Sequence, residues 1–264
     1  MIGKIQAEIN NQYKIFELMK TSLFLKQVSK KVLTSFKDLL YPPLCLHCEI
    51  SIKNHYLHLC DECHSLLELI DPTERCPLCF SADYSAERLS CSHCHFQDPL
   101  FNHFAAAFDH MGPAATIVRK LKYANQPYLA KGIAAFMALQ LLQMNWPLPD
   151  FIVPVPLSFS HWLDRGYNQT FLIAQSLSEI LSRPVADIIT RRSGDYSQAG
   201  LKRVDRLKLD SGSFKLKKNA SVADKNILLI DDVMTTGRTL RCCGEVLLEA
   251  CPQSIYAMAV CRAV

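Results

Sequence analysis

The sequence predicts an α/β fold in which helices flank a parallel sheet, with a small cysteine-rich module on its N-terminal side. From residue 151 onward, short apolar runs alternate with amphipathic helical segments, which is the pattern of a parallel sheet with crossover helices. Eight of the twelve cysteines lie between Cys45 and Cys94. The chain has 264 residues, of which 49% are hydrophobic, so it can bury a core, and global disorder and a coiled coil are excluded.

No stretch of the sequence is long and apolar enough to predict a transmembrane helix. The longest, residues 132–142, contains a glutamine and has 11 residues, whereas a span needs roughly 18 to 20. Near the N-terminus the apolar run TSLFL is bracketed by Lys20 and Lys26, so the continuous apolar core of a signal peptide is lacking. We therefore expect a cytoplasmic protein.

The clustered cysteines form four CxxC pairs, and each of the first four cysteines recurs 31 residues later. In a reducing cytosol such pairs predict zinc ligation, because a CxxC turn places two thiolates on one tetrahedral ion. Redox-active dithiols are the disfavoured alternative, since a single pair would suffice for that chemistry. The predicted ligands are Cys45, Cys48, Cys60, Cys63, Cys76, Cys79, Cys91 and Cys94.

Eight thiolates predict two structural zinc ions in a duplicated zinc ribbon. If each 31-residue copy closes its own site, the ligand sets are 45/48/60/63 and 76/79/91/94; a cross-braced pairing of alternate knuckles is the alternative. Residues 45–110 carry three Lys/Arg against ten Asp/Glu. Because zinc with four thiolates adds negative charge, we expect this module to be structural or to bind a protein rather than nucleic acid.

The C-terminal half predicts four strands and two helices. The strands are the apolar runs 151–155, 184–189, 226–230 and 254–261. Between the first two strands, a helix over 167–182 places Ile173 and Leu177 on one face. Between the last two strands, a second helix places Leu240 and Leu247 on one face.

Residues 227–239 combine a buried strand, two carboxylates and the start of a helix. Asp231 and Asp232 stand where the apolar run ends, and ligands of open α/β sheets bind at the carboxyl ends of strands. The TTGRT turn that follows presents backbone N–H groups, hydroxyls and the positive end of a helix to an anion. Gly237 permits a close backbone approach. This pattern predicts a phosphate cradle beside a diol-binding pair, with simple helix capping as the alternative.

As one uninterrupted string, residues 227–239 resemble the phosphoribosyl pyrophosphate (PRPP) signature of type I phosphoribosyltransferases. Over roughly 40–264 the chain resembles the ComF family of competence-associated proteins, which are amidophosphoribosyltransferase-like and carry an N-terminal double zinc ribbon. The motifs that carry this resemblance are, after the cysteine pairs, Leu121-Lys122-Tyr123, Val153-Pro154-Val155-Pro156-Leu157, Arg165-Gly166-Tyr167-Asn168-Gln169, Gln198, Arg206 and the signature itself. The resemblance implies a type I phosphoribosyltransferase-like sheet.

The resemblance also implies roles for individual residues. The PRPP-binding set is Asp231, Asp232, Val233, Thr235, Thr236, Gly237, Arg238 and Thr239, of which the two aspartates hold the ribose hydroxyls and 235–239 hold the 5-phosphate. The pyrophosphate loop comprises Val155, Pro156 and Leu157. The residues expected at the reacting centre are Asp231, Asp232, Lys122, Arg165 and Arg192. Magnesium is expected to bind together with PRPP.

The function implied is transfer of ribose 5-phosphate from PRPP, or a related phosphoribosyl ligand, to an acceptor that the sequence does not identify. Family membership links this activity to DNA uptake in natural transformation. The alternative is a non-catalytic competence factor that binds a nucleotide, single-stranded DNA or competence-machinery proteins with the same fold. Its phosphate contacts would come from the basic residues Arg191, Arg192, Lys202, Arg203, Arg206 and Lys208.

Three segments are expected along the chain. Residues 1–40 form an N-terminal extension whose apolar positions indicate an amphipathic helix. Residues 41–100 form the double zinc ribbon, and residues 101–264 form the phosphoribosyltransferase-like domain.

Overall fold

A computed structural model of the chain describes residues 42–53, 58–85, 90–92, 100–191, 211–218 and 220–263. Contacts divide the chain into two compact units, with the boundary between Asp61 and Glu62. In chain order the elements are α1 (Asp61–Ser65), β1 (Tyr84–Ser85), β2 (Ser90–Cys91), β3 (His103–Asp109), α2 (Gly112–Tyr123), α3 (Leu129–Gln143), β4 (Phe151–Pro154), α4 (Phe159–Arg165), α5 (Gln169–Leu181), β5 (Ile189–Arg191), β6 (Phe214–Leu216), β7 (Asn226–Met234), α6 (Arg238–Leu248) and β8 (Ser254–Arg262).

A four-stranded parallel sheet forms the centre of the unit that begins at Glu62. Its strand order is β3-β8-β7-β4, so β7 and β8 are the interior strands. Residues 227–230 of β7 are fully buried, and residues 255–262 of β8 are all buried. Because successive residues of a strand point to opposite faces, both faces of these strands are covered, as in parallel sheets flanked by helices.

The strand registers gather polar side chains at the carboxyl end of the sheet. Arg262 of β8 lies opposite Asp109 of β3 and opposite Met234 of β7. On the other side of β7, Pro154 of β4 lies opposite Ile230. The residues that follow these positions along the chain therefore meet at one edge of the sheet, where ligands of such sheets bind.

Most of the predicted elements of the C-terminal half are confirmed. The strands predicted at 151–155 and 254–261 and the helix predicted at 167–182 are present within two residues of the expected limits, and the second predicted helix is present as α6. The strand predicted at 226–230 is longer and continues through both aspartates to Met234, where its backbone still pairs with Arg262 of β8.

The strand predicted at 184–189 is wrong in extent. Val185 makes a single bridge to Ile152 of β4, and strand β5 begins only at Ile189. Pro184 has no backbone N–H to donate to a ladder. Three residues after Pro184, the exposed Asp187 carboxylate pairs with Lys217 at 2.7 Å. Strand β5 then pairs antiparallel with β6 in a separate two-stranded sheet.

Strand β3 and helices α2 and α3 were not predicted. The sequence of β3 contains three consecutive alanines, which favour strands poorly, yet residues 105–107 are completely buried beside β8. Burial in the sheet thus decides the conformation of this segment. Within the described part of the chain, no helix has both the length and the apolar character that crossing a membrane requires.

Candidate functional site

The loop between β7 and α6, residues 235–239 with the first turn of the helix, is called the phosphate loop below. Gly237 has a φ of 73° and caps the N-terminus of α6, so its conformation is left-handed. A Cβ added there would lie 3.3 Å from the sulfur of Met234. Arg238 N–H donates to the Thr236 hydroxyl at 3.4 Å, and Thr235 and Thr236 are exposed. The loop therefore presents hydroxyls and the positive end of a helix to solvent.

Asp232 is buried and is held by two partners. The Nζ of Lys122 lies 2.6 Å from Asp232 Oδ1, and the exposed fractions of the two side chains are 17% and 7%. On the other carboxylate oxygen, Gln169 Nε2 donates to Asp232 Oδ2 at 2.5 Å. Lys122 comes from the last turn of α2 and Gln169 from the first turn of α5, so two helices and β7 build this group.

Asp231 is half-buried and has a different environment. Its Oδ1 accepts a hydrogen bond from the backbone N–H of Asp232 at 2.8 Å. Burial, together with the neighbouring Asp232 carboxylate, raises the pKa of Asp231 to about 7. Because β7 includes both aspartates, their side chains point to opposite faces of the strand. Both predicted carboxylates therefore lie at the end of β7, but of the two only Asp232 forms an ion pair with Lys122.

A cleft of about 400 Å³ lies beside Lys122. It is also lined by Tyr123, His161, Arg165 and Tyr167. The Arg165 guanidinium stacks over the Tyr123 ring, 4.9 Å from its centroid, which fixes a cation at the cleft wall. The phosphate loop does not line this cleft, and Lys122 links the cleft to the end of β7, because its side chain contacts Asp232.

The Arg165-Gly166-Tyr167-Asn168-Gln169 motif builds the wall between the cleft and β7. Gly166 ends α4 in the left-handed conformation, with a φ of 76°. The Tyr167 hydroxyl donates to the Leu121 carbonyl at 2.5 Å, which anchors the residue next to Lys122. Asn168 caps α5 by accepting from the N–H of Thr170 at 3.1 Å. Gly166, Tyr167 and Asn168 thus position neighbouring parts of the site.

The predicted pyrophosphate loop, residues 155–157, is held at its first residue. The N–H of Val155 donates to the Ile230 carbonyl at 3.0 Å. The Val155 carbonyl accepts from Asn168 Nδ2 at 3.1 Å and from the Thr170 hydroxyl at 2.6 Å. Pro156 and Leu157 follow as half-buried residues that lead into α4. The loop is therefore tied both to β7 and to the start of α5.

Two groups of cysteine sulfurs lie close enough to share a metal ion. The first cysteine cluster comprises Cys45, Cys48, Cys60 and Cys63, and the second cysteine cluster comprises Cys76, Cys79 and Cys91. Within each cluster the sulfur atoms lie within 4.8 Å of one another. The grouping of these seven described cysteines is sequential along the chain rather than cross-braced.

The donor set and the spacing fit zinc. Four sulfurs bound at about 2.3 Å to a tetrahedral ion are about 3.8 Å apart. The sulfur atoms of Cys48 and Cys60 are 3.6 Å apart, as are those of Cys79 and Cys91. Burial raises the pKa of Cys45, but backbone N–H groups, including those of Cys48 and Cys60, outweigh it and lower the pKa to about 6. The thiolate, which is the form that binds metal, is therefore favoured at neutral pH.

Comparison with known proteins gives a domain match and relatives along most of the chain. A family model described as a phosphoribosyl transferase domain matches residues 168–263. Competence protein F of Haemophilus influenzae is 28% identical over 226 residues, which cover 83% of this chain and 96% of that protein. Competence protein ComFC of Streptococcus pneumoniae is 27% identical over 211 residues, which cover 80% of this chain and 90% of that protein. These matches confirm the resemblance to the ComF family.

Among solved structures, the adenine phosphoribosyltransferase of Saccharomyces cerevisiae is 20% identical, with a TM-score of 0.34 and coverage of 52% of this chain and 72% of that one. The predicted fold class, a type I phosphoribosyltransferase-like parallel sheet flanked by helices, is confirmed by the domain match and the sheet order. The cysteine clusters are compatible with the predicted zinc ribbons.

Three predicted features lie outside the described residues. They are Arg192 with most of the basic segment, Cys94 as the fourth ligand of the second cysteine cluster, and the N-terminal extension 1–40. Their predicted roles remain predictions.

The sequence did not predict a site role for two residues near the segment 227–239, Gln169 and His110. Gln169 was quoted only as part of a motif, although a buried glutamine at a helix start signals a specific partner. His110 follows β3, and burial and the charge of Lys122 lower its pKa. Nothing in the local sequence relates His110 to Asp232, whose carboxylate acts in the opposite direction on this pKa.

Proposed function

We propose that the protein binds PRPP with Mg²⁺ at the carboxyl end of the sheet and transfers its ribose 5-phosphate to an acceptor. The observation that carries this proposal is the continuity of one segment: the buried end of β7, two carboxylates, an exposed hydroxyl-bearing loop and a helix N-terminus. The ring hydroxyls and the 5-phosphate of one ribose 5-phosphate unit would bind complementary groups along this segment. The names of the relatives, competence proteins, support a role connected with DNA uptake.

The 5-phosphate is assigned to the phosphate loop. Thr235 and Thr236 are exposed donors, and the N-terminus of α6 favours an anion. The φ of 73° at Gly237 turns the chain into this helix. Any other residue at this position would be strained by the positive φ, and its Cβ would press on the Met234 side chain.

The ribose hydroxyls are assigned to Asp231 and Asp232. Both oxygens of Asp232 are already paired, one with Lys122 and one with Gln169, so an incoming hydroxyl competes with Lys122 for Oδ1. The displaced ammonium group then lies at the cleft, where it meets Arg165. Ligand binding would thus move a cation from the carboxylate to the pyrophosphate.

The leaving pyrophosphate is assigned to the cleft and the adjoining loop 155–157. Lys122 and Arg165 supply positive charge at the cleft. This charge stabilises the negative charge that builds up on the pyrophosphate as its bond to C1 of ribose lengthens. Bound Mg²⁺ would further neutralise the pyrophosphate. Zinc, assigned to the two cysteine clusters, is structural in this proposal, because four thiolates complete a tetrahedral site.

The test is titration of the protein with PRPP and Mg²⁺ in a calorimeter. Changing both Asp231 and Asp232 to asparagine is expected to abolish binding, since charge-assisted hydrogen bonds worth roughly 1.5–3 kcal/mol each are lost. Asp187→Asn is the matched control, because this aspartate is exposed and pairs only with Lys217 among the described ion pairs. Unchanged PRPP affinity in the double variant would refute the assignment, and so would a loss of folding.

A second function, non-catalytic binding of single-stranded DNA, is favoured by one observation. Phe159 and Trp162 of α4 are exposed and stacked, with ring centroids 6.1 Å apart, and Tyr123 is exposed at the cleft. Exposed aromatic rings beside cations are the groups on which unpaired bases stack. The basic segment 191–208 would add phosphate contacts.

Limited proteolysis at the lysines and arginines between 192 and 208 separates the two functions. If the protein is an enzyme, PRPP with Mg²⁺ is expected to slow cleavage, because a segment that closes over bound substrate is protected from the protease. Single-stranded DNA alone is then expected to leave the cleavage rate unchanged. For the DNA-binding protein the pattern reverses, and affinity for DNA falls steeply with salt as counterions are released. Protection by neither ligand would contradict both.

A further inference from the structure

Arg262, the last residue of β8, is a buried arginine whose side chain reaches the start of the phosphate loop. Only 7% of it is exposed. Its Nη1 donates to the carbonyls of Met234 at 3.3 Å, Ala263 at 2.8 Å and Thr235. A guanidinium that holds the carbonyls of Met234 and Thr235 fixes the peptide planes that lead into the loop, and so the direction in which the next N–H groups point.

The same guanidinium belongs to a buried charge cluster that extends to the second cysteine cluster. Arg262 lies opposite Asp109 of β3 in the sheet. The Asp109 carboxylate is paired with Arg75 at 2.7 Å, and Arg75 directly precedes Cys76. Burial lowers the pKa of Arg262, and the charges of Cys79 and Cys91 act against this effect, so these sulfurs lie within electrostatic reach.

Three buried polar atoms of this charge cluster have no hydrogen-bond partner among the described residues: Arg262 Nε, Arg75 Nη1 and Asp109 Oδ1. Two of them are N–H donors, and leaving a buried donor unpaired is costly. Thiolates are negatively charged acceptors, and the charges of Cys79 and Cys91 in the second cysteine cluster act on Arg262. The unused donors therefore match what a metal-loaded cluster offers.

The segment 70–80, which carries Arg75 and the first two cysteines of the second cysteine cluster, is anchored on the sheet. Ile70 N–H donates to the Ala107 carbonyl of β3 at 3.0 Å, and Gln140 of α3 donates to the Ile70 carbonyl at 2.8 Å. Ile70 and Phe80 are buried in the same apolar core as β7 and α6. A displacement of the 75–80 turn would therefore shift core side chains of β7 and α6, the two elements that flank the phosphate loop.

We infer that Arg262 is a positioning residue that couples the second cysteine cluster to the phosphate loop, so that metal bound at Cys76, Cys79 and Cys91 orders residues 235–239. This inference rests on the proposed phosphate-binding role of that loop. With the metal bound, the thiolates balance the buried cation, and the guanidinium is free to hold the two carbonyls. Without the metal, the turn after Arg75 loses its cross-link, and the cation loses its counter-charges.

The test measures amide hydrogen exchange of residues 235–239 in the full chain, without PRPP. Cys79→Ser, which removes a ligand of the second cluster, is expected to raise exchange of these amides at least fivefold. Arg262→Lys should do the same, because one ammonium cannot replace both Nη1, which holds the carbonyls, and the second buried donor, Nε. The double variant should show no more than either single change. Residues 226–230 of β7 serve as the internal measure of a folded core.

Matched controls are Cys251→Ser, an exposed cysteine outside both clusters, and Arg119→Lys, an exposed arginine of α2 outside the phosphate loop. Both should leave exchange of the loop as in the unaltered protein. If Cys79→Ser does not fold, the same comparison is made on the unaltered protein before and after mild chelation. Metal loss without faster exchange of the loop, or additive effects of the two changes, would overturn the inference.

PRPP titration of the same variants separates this inference from the proposed function. Both Arg262→Lys and Cys79→Ser are expected to weaken PRPP binding at least tenfold, while the two control variants bind as the unaltered protein. If the unaltered protein binds no PRPP, the proposed function fails, and the exchange data still decide whether the cluster orders the loop.

Discussion

At the scale of single residues, the site depends on the different surroundings of two adjacent carboxylates, Asp231 and Asp232. Asp232 is buried, and its charge is compensated by Lys122 and by the amide of Gln169. A buried charge with two such partners is tolerated, whereas removing one partner leaves the other group uncompensated. Asp231 has only a backbone donor beside it, and its pKa is raised to about 7. The pair is therefore prepared to carry one charge rather than two in the absence of ligand.

This asymmetry predicts a pH dependence of stability that belongs to Asp231. The unfolded chain releases the Asp231 proton near pH 3.8, and the folded protein holds it up to about pH 7. Stability falls with rising pH wherever the folded state binds more protons, so this group reduces the free energy of unfolding between these values. Asp231→Asn should remove that loss. Urea unfolding of both proteins at pH 5, 6, 7 and 8 checks this.

The difference between the two proteins isolates Asp231 from the other titrating groups. The unfolding free energy of Asp231→Asn relative to the unaltered protein should rise from pH 5 to pH 7 and then level off. An equal difference at all four values would show that the pKa of Asp231 is ordinary. Asp187→Asn, at an exposed aspartate, should give no pH-dependent difference.

At the scale of elements, short signals at helix ends position the site. Asn168 begins α5 and brings Gln169 to Asp232. Gly166 ends α4, and the left-handed turn that it forms leads into Tyr167, whose hydroxyl anchors α2 at Leu121. Gly237 begins α6 at the phosphate loop. These ends are fixed by local hydrogen bonds and by backbone conformation, so single substitutions there should have large effects.

Gly237→Ala is expected to destabilise the protein and to weaken PRPP binding. An alanine pays about 1–2 kcal/mol to adopt the left-handed conformation, and its Cβ would also press on the sulfur of Met234 at 3.3 Å. Gly132→Ala is the matched control, since Gly132 lies inside α3 with nothing within 4 Å of an added Cβ. That change should stabilise the protein by about 0.5–1 kcal/mol. Thermal unfolding and PRPP titration measure both effects, and equal stabilities for the two variants would contradict the assignment.

At the scale of the whole molecule, two cysteine clusters that could each hold a metal ion and a parallel sheet occur in one chain. The sheet has an extensive apolar core that includes residues of β7, β8 and α6. The first cysteine cluster lies in a short segment with few buried apolar residues among those described, Leu59 being one. Segments of this kind depend on metal for folding, because binding supplies on the order of 10 kcal/mol per zinc site.

Purified protein is therefore expected to contain two zinc ions per chain, bound by the two cysteine clusters. Chelation should unfold the segment 45–94 first, while the parallel sheet remains folded at lower stability. Metal analysis by mass spectrometry and exchange of the amides of β7 and β8 measure both. Cys251→Ser should keep both ions, since this cysteine lies outside the clusters. One ion per chain, or none with intact disulfides, would contradict the prediction.

The sequence by itself determined the features that depend on neighbours along the chain. Four CxxC pairs repeat at a fixed interval, and this repeat allows two groupings, of which the sequential one, Cys45 with Cys63 and Cys76 with Cys91, is observed. The apolar period of the C-terminal half gave three of its four strands and both helices, and the 227–239 signature gave the phosphate loop. Such patterns reflect local geometry, which short stretches of sequence specify.

Only the tertiary structure decided which distant residues meet at the end of β7. Gln169 and Lys122 reach Asp232 across 63 and 110 residues of chain, and Arg262 reaches the loop from the last strand. The extent of β7 beyond Ile230 and the position of β3 beside β8 likewise follow from pairing, not from residue preference. Contacts of this kind are selected by the packing of the whole sheet, and no local period in the sequence encodes them.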